Sequence, residues 1–155
     1  MQKQVMGLVA AAFVSGMALG GALGYFAAGK GEQGDTSAAG KQLTTAELSE
    51  RLGDEASELK ETLPKMADAE TEWFDVTVGP GAVTTYWYRL VNYNGDGLNS
   101  EKFKANVESS LTKQVCAEPS MRENIGYGTT YRFNYVGKDR IKVAELEVDR
   151  QKCGF

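Results

Sequence analysis

The chain has no histidine. That removes the commonest general base and the commonest metal ligand. Ser–His and Cys–His nucleophilic relays are therefore excluded. No catalytic motif takes their place, and nothing in the residues implies a cofactor or a metal. The net charge of −4 argues against a nucleic-acid partner, which needs a basic surface. Cysteine is confined to Cys116 and Cys153. None stands at the end of the apolar N-terminal run, which excludes a bacterial lipid anchor there. Charge is missing altogether from Val5 to Ala28.

That uncharged run is the most informative feature present. As a helix rising about 1.5 Å per residue it reaches roughly 36 Å, enough to cross a bilayer core of about 30 Å. It is longer than the apolar stretch of a signal peptide, and neither Ala18-Leu19-Gly20 nor Ala27-Ala28-Gly29 makes a clean Ala-x-Ala cleavage site. An uncleaved anchor is the favoured reading and a removed signal the other; both export the rest of the chain. Lys3 before the run favours a cytoplasmic N-terminus. The expected location is thus the inner membrane, single pass, with the domain in the periplasm. Gly16, Gly20 and Gly24 recur every fourth residue, on one helix face, in the small-xxx-small pattern of membrane helix pairing. A homodimer through that face is one expectation; the general Ala/Gly richness of exported segments is the other explanation.

Residues 1–29 are thus read as the membrane or signal segment, 30–42 as a flexible Gly/Ser-type linker and 43–155 as one α+β domain. From Glu32 to Asp75 there are 12 acids against 4 bases, and from Val76 onward 11 bases against 9 acids. The first helix is therefore an acidic surface. In an exported chain, two cysteines read as a Cys116–Cys153 disulfide; two free thiols would suit a cytosolic protein.

Thr44 and Glu47 form a capping box, flanked by Leu43 and Leu48 as a hydrophobic staple. Leu48, Leu52, Ala56, Leu59, Leu63 and Met66 then make one helical stripe, which Pro64 should end or kink near Leu63. Trp73 to Val78 alternates as a strand, with Phe74, Val76 and Val78 on one side. Val83 to Tyr93 is a second strand, apolar on both faces. Asn99 caps a second helix with stripe Phe103, Val107, Leu111 and Val115, and a loop runs from Pro119 to Gly126. Tyr127 to Tyr135 alternates as a third strand, and Ile141 to Asp149 as a fourth whose parity slips, requiring a β-bulge near Val143. The order helix-strand-strand-helix-strand-strand predicts a four-stranded antiparallel sheet with helices on one face. Thr84-Thr85-Tyr86-Trp87-Tyr88 and Thr129-Thr130-Tyr131-Arg132-Phe133 share a pattern that suits a duplicated unit, or merely common strand composition.

Candidate chemistry is sparse. Asn92-x-Asn94-x-Asp96-Gly97 matches the first half of a calcium loop, but position 12 is Phe103 rather than Glu, so a strand-to-helix turn is expected. Glu145, Glu147 and Asp149 on alternate strand positions could serve acid–base work, but fit a solvated edge strand better. The candidate binding surface is Tyr86, Trp87, Tyr88, Arg122, Tyr127 and Tyr131.

From Cys116 onward, C-x-x-P-x-x-R, then G-x-x-x-x-Y-x-F, a Gly turn and a terminal Cys (Cys116, Pro119, Arg122, Gly126, Tyr131, Phe133, Gly137, Cys153) resembles small uncharacterised envelope proteins of Gram-negative bacteria. The resemblance implies a periplasmic domain with a structural disulfide, and no activity. The functional expectation is a membrane-tethered interaction or assembly module with a protein partner in the envelope, of adaptor, inhibitor or immunity type. The alternative is a small-ligand-binding domain using a tyrosine-rich sheet face.

Overall fold

The capping box at Thr44 forms as the sequence requires. Thr44 Oγ1 accepts the Glu47 N–H, Glu47 in turn accepts the Thr44 N–H at 2.9 Å, and helix α1 runs Thr45–Lys60. This is a computed structural model, and it describes residues 42–155. The apolar run Val5–Ala28 and its glycines Gly16, Gly20 and Gly24 lie outside the described residues. No helix among those described is long and apolar enough to cross a membrane.

Five strands succeed it in the chain: β1 (Lys65–Met66), β2 (Thr71–Gly79), β3 (Val83–Leu90), β4 (Thr130–Gly137) and β5 (Lys142–Val148). They form one sheet in the order β1-β2-β3-β4-β5. This corrects the expected four-stranded antiparallel sheet. β3 and β4 pair in parallel, with Tyr86 opposite Phe133 and Tyr88 opposite Tyr135; the other neighbours are antiparallel. The segment between β3 and β4 contains two helices, α2 (Ser100–Ala117) and α3 (Pro119–Tyr127). A connection of that length is what parallel neighbours need. β1 pairs through two residues only, too short to show as a periodic pattern.

α3 replaces the loop expected after Cys116. Pro119 ends α2 but also sits at the first position of the next helix, where its missing N–H costs nothing. Gly128 closes α3 with φ +113, a left-handed conformation suited to glycine. A second correction concerns β2. A bulge between Trp73 and Asp75 turns Trp73 into the core, where it is buried with Val76. Phe74 is left on the other face, under the Arg89 guanidinium at 4.7 Å. The slip in β5 is resolved as its parity demands: Tyr135 pairs with Ala144 and Val136 with Lys142, so Val143 is the bulged residue.

The helices cover one side of the sheet. Phe103 of α2 meets Tyr135 edge-on at 5.0 Å, Ile125 and Met121 of α3 are buried in the same core, and α1 contributes Ala56 and Leu59. The first half of α1 packs separately, with Leu48 and Leu52 against Ala82. The Cys116–Cys153 disulfide, Cα–Cα 5.4 Å, ties the end of α2 to the short C-terminal helix α4 (Arg150–Cys153). Closing a loop of that size restricts the unfolded chain by about 4 kcal/mol on a chain-entropy estimate.

The tightest backbone approach lies between the Asn94-Gly95 turn and the β4–β5 hairpin. A Cβ on Gly137 would collide with the Gly95 nitrogen, and one on Gly95 with the Ile141 carbonyl. Gly137→Ala should therefore cost about 2–3 kcal/mol by overpacking against backbone that cannot yield. Gly53→Ala, in the middle of α1 with open space at its Cβ, should gain about 0.5–1 kcal/mol. Urea unfolding of the two variants checks the contrast; similar midpoints would contradict the close contact.

Candidate functional site

Strand alternation divides the candidate surface. Tyr86 and Tyr88 of β3 and Tyr131 of β4 point to the helix-covered side and are buried. Tyr86 stacks on Phe133 at 5.3 Å and Tyr88 on Tyr135 at 5.2 Å, so these rings are core and offer no accessible surface. Trp87 points the other way and is half-buried on the open face. Arg122 and Tyr127 lie on the exposed side of α3. The structure thus brings Tyr86 and Tyr131 together at 6.0 Å, and parts both from Trp87 by the thickness of the sheet.

The open face is a ladder of compensated charges. Arg89 pairs with Glu72 at 2.8 Å. Arg132 reaches Glu147 at 2.7 Å and Glu145 at 3.9 Å, and Lys142 holds Glu145 at 2.8 Å. The Lys142 hydrogen bond, together with nearby positive charge, keeps the Glu145 carboxyl below its usual range. Trp87 lies among these pairs, its indole N–H donating to Thr77 Oγ1 at 3.2 Å. Asp149, the third carboxylate of the alternating set, accepts the Lys152 N–H and caps α4. The calcium-like turn is likewise explained by local bonding. The Asp139 carboxylate accepts the Gly95 and Ile141 N–H groups, which hold its pKa below the ordinary value. Among the described residues there is no group of three or more His, Cys, Asp or Glu that could hold a metal ion.

The other concentration of polar groups is the seam between α1 and α3. Arg51 of α1 contacts Glu55 at 3.2 Å and Glu123 of α3 at 3.8 Å. Asn124, 1 % exposed, donates through Nδ2 to the Tyr131 hydroxyl at 3.0 Å and to Glu55 at 3.4 Å. Its Oδ1 has no partner among the described residues, nor do Thr84 Oγ1 and Thr129 Oγ1. Thr84 pairs with Tyr131 across the strands, and the Thr129 N–H donates to the Asn124 carbonyl, so all three belong to this end of the core. Asn124 is absent from the candidate residues because its segment reads as a loop. Met121 and Ile125, four apart after Pro119, are the available signal of a helix.

At the C-terminal corner, the Arg122 guanidinium lies 4.5 Å over the Phe155 ring and donates to the Cys116 carbonyl at 3.3 Å. Arg122 therefore buttresses the disulfide end of α2, where sequence alone suggests a recognition point.

Comparisons with known proteins bear on this fold. No protein-family model matches the chain, and no curated protein matches it. Solved structures do. A Pseudomonas aeruginosa protein classed only provisionally as secreted aligns with TM-score 0.61 at 19% identity, over 70% of this chain and 95% of its own. EpsS, a pilotin of the type 2 secretion system of Vibrio vulnificus, aligns with TM-score 0.58 at 14% identity, over 72% and 96%. AspS, the type II secretion pilotin of Vibrio cholerae, aligns with TM-score 0.54 at 20% identity, over 70% and 94%. At these identities the likeness establishes a shared α+β fold.

The buried tyrosines make a prediction about alkali. Burial pushes the hydroxyl pKa values of Tyr86, Tyr88, Tyr131 and Tyr135 above the ordinary value, and for Tyr131 the Asn124 hydrogen bond offsets part of the rise. A raised folded-state pKa contributes stability that is complete below the unfolded value of about 10 and is lost as pH climbs beyond it. Tyrosinate absorbance from these rings should therefore appear together with loss of near-ultraviolet circular dichroism. Reversible ionisation of every tyrosine near pH 10 with the fold intact would contradict their burial.

Proposed function

We propose that the chain is a non-catalytic interaction or assembly module of the Gram-negative envelope, tethered to the inner membrane by residues 5–28 with its domain in the periplasm. The observation that carries this reading is the fold held in common with two type II secretion pilotins over nearly their whole length. The P. aeruginosa structure and the Cys116–Cys153 bridge support an exported setting. The chemistry agrees. The carboxylates of the open face are bound to Arg89, Arg132 and Lys142, and the tyrosines are stacked as core, which leaves surfaces rather than a reactive centre. Pairing through Gly16, Gly20 and Gly24 would set two such domains side by side. A small-ligand site on the tyrosine face is the weaker reading, because Tyr86, Tyr88 and Tyr131 are packed beneath the helices.

In the native host, photo-cross-linking amino acids at position 87 on the open face and position 127 on α3 should give discrete protein adducts. The same group at the buried position 146 should give none. Absence of protein adducts from both surface positions in intact cells would contradict the module reading. A reporter fused after Phe155 that was active in the cytoplasm would contradict the periplasmic placement.

A further inference from the structure

We propose that the open sheet face carries a binding cell for a neutral glycan, with one N-acetylated pyranose unit lying against Trp87 over Thr85 and Asn134. This goes beyond the protein-binding reading, since it concerns a different class of ligand.

Two short polar side chains make the floor of the cell. Asn134 stands between Phe133 and Tyr135, and Thr85 between Thr84 and Tyr86, all four buried on the helix-covered side. Strand alternation therefore turns Asn134 and Thr85 to the open face. Among the described residues no helix covers that face, yet the two are only 5 % and 7 % exposed. Short side chains become so enclosed by standing among longer ones. Trp87 is opposite Asn134 and Arg132 opposite Thr85, with Glu145 beyond Asn134 on β5. Neither the Asn134 amide nor the Thr85 hydroxyl has a hydrogen-bond partner among the described residues. Neither belongs with the fully enclosed unpartnered atoms of the core, so both reach solvent at the bottom of a shallow depression.

Each of these groups calls for a donor and an acceptor. The amide offers N–H groups and a carbonyl, and the hydroxyl one function of each kind. Polar groups so deeply set normally have partners in the working molecule. Charge narrows the choice. Around the cell Arg89, Arg132 and Lys142 stand against Glu72, Glu145 and Glu147, all of them paired. A face compensated in this way gives a charged ligand no advantage, so the ligand is neutral. Trp87 adds an apolar surface. Its ring is half-buried, its indole N–H is held by Thr77, and no other ring or cation stacks on it among the described residues. Phe74, by contrast, is already under Arg89.

Neighbouring strands lie about 4.8 Å apart and alternate residues of one strand about 6.6 Å apart. Thr85, Trp87, Arg132 and Asn134 thus corner a cell the width of one sugar ring. A pyranose meets its requirements together. One C–H face lies on the indole, the hydroxyls both donate and accept, and an acetamido group supplies the N–H and carbonyl that complement the Asn134 amide. An extended polypeptide also carries amides, but its specificity comes from pockets for alternate side chains. A single ring among paired charges provides no such series.

The test uses the full chain in lauryldimethylamine oxide micelles, whose headgroup is not a sugar, with tetra-N-acetylchitotetraose as probe. Cellotetraose, which lacks the acetamido groups, is the comparison. The probe should bind with a Kd of about 1 mM or tighter. It should move the Asn134 side-chain amide and Trp87 indole resonances and leave the indole of Trp73, in the core, in place. Cellotetraose should bind roughly fivefold more weakly, for the loss of one amide contact. Trp87→Ala should weaken probe binding roughly tenfold or more. Asn134→Leu, which breaks no internal hydrogen bond, should bring the two sugars to equal affinity, and Tyr127→Ala on α3 should change neither. Undetectable binding, undiminished binding by folded Trp87→Ala, equal affinity of the wild type for the two sugars, or shifts confined to α3 would each overturn the assignment. Protein adducts from position 87 that a saturating concentration of the probe leaves undiminished would mean that a polypeptide covers the cell, and would overturn it as well. If the assignment falls while position 127 gives protein adducts in cells, the module reading stands and only the glycan cell is lost.

Discussion

The parallel, in-register pairing of β3 with β4 is the constraint on which the rest of the molecule depends. It sets Tyr86 against Phe133 and Tyr88 against Tyr135, so that each couple stacks face to face. Trp73 joins from β2 at 5.4 Å from Tyr86, and Phe103 closes the row from α2. Large rings in offset contact contribute about 0.5–1.5 kcal/mol per pair beyond the area they bury. Because parallel neighbours need a long connection, α2 and α3 are the material of that connection. They lie over the aromatic row they were needed to bridge. The disulfide then holds the far end of α2 to the chain terminus.

Much of this is legible in the residues wherever the determinant is local. The Thr44–Glu47 box, the Asn99 cap, the alternation of Tyr131, Phe133 and Tyr135, and the bulge at Val143 all come from spacings of a few positions, and each is present. Strand direction is different. The β3 and β4 patterns read the same whether they pair parallel or antiparallel, since alternation fixes faces and not neighbours. An expectation of hairpins therefore misplaces the central pair. The Phe74 inversion is hidden for a related reason: a bulge changes parity without changing composition. Pro119 shows a third kind of ambiguity, because proline after a helix marks its end and equally the first position of another.

The site is legible only in outline. Tyr86, Tyr88 and Tyr131 stand out in the sequence, but as hydroxyl-bearing rings their pattern is shared by core and surface. Only the layering of helices over one face shows them to be interior. Asn124 carries no signal of its own; α3 delivers it to the Tyr131 hydroxyl and the Glu55 carboxylate. The two sides of the molecule consequently differ in kind. The open sheet face carries paired charges around Trp87, whereas α1 exposes an acidic ridge over its buried apolar stripe.

With the core organised in this way, the β3–β4 aromatic pair is the most stable unit. The first half of α1, packed on the small Leu48–Leu52–Ala82 cluster and bridged to α3 by polar side chains, is the part free to adjust. Native-state hydrogen exchange on the full chain tests this most directly, because amides that open only on global unfolding report the central unit. The slowest exchange should fall at Tyr86–Tyr88 and Phe133–Tyr135, with the helical amides up to Gly53 opening in an earlier, sub-global step. Protection of α1 equal to that of β3 and β4, or faster exchange at the β3–β4 ladder than in the antiparallel pairs beside it, would contradict a molecule organised around that central pair.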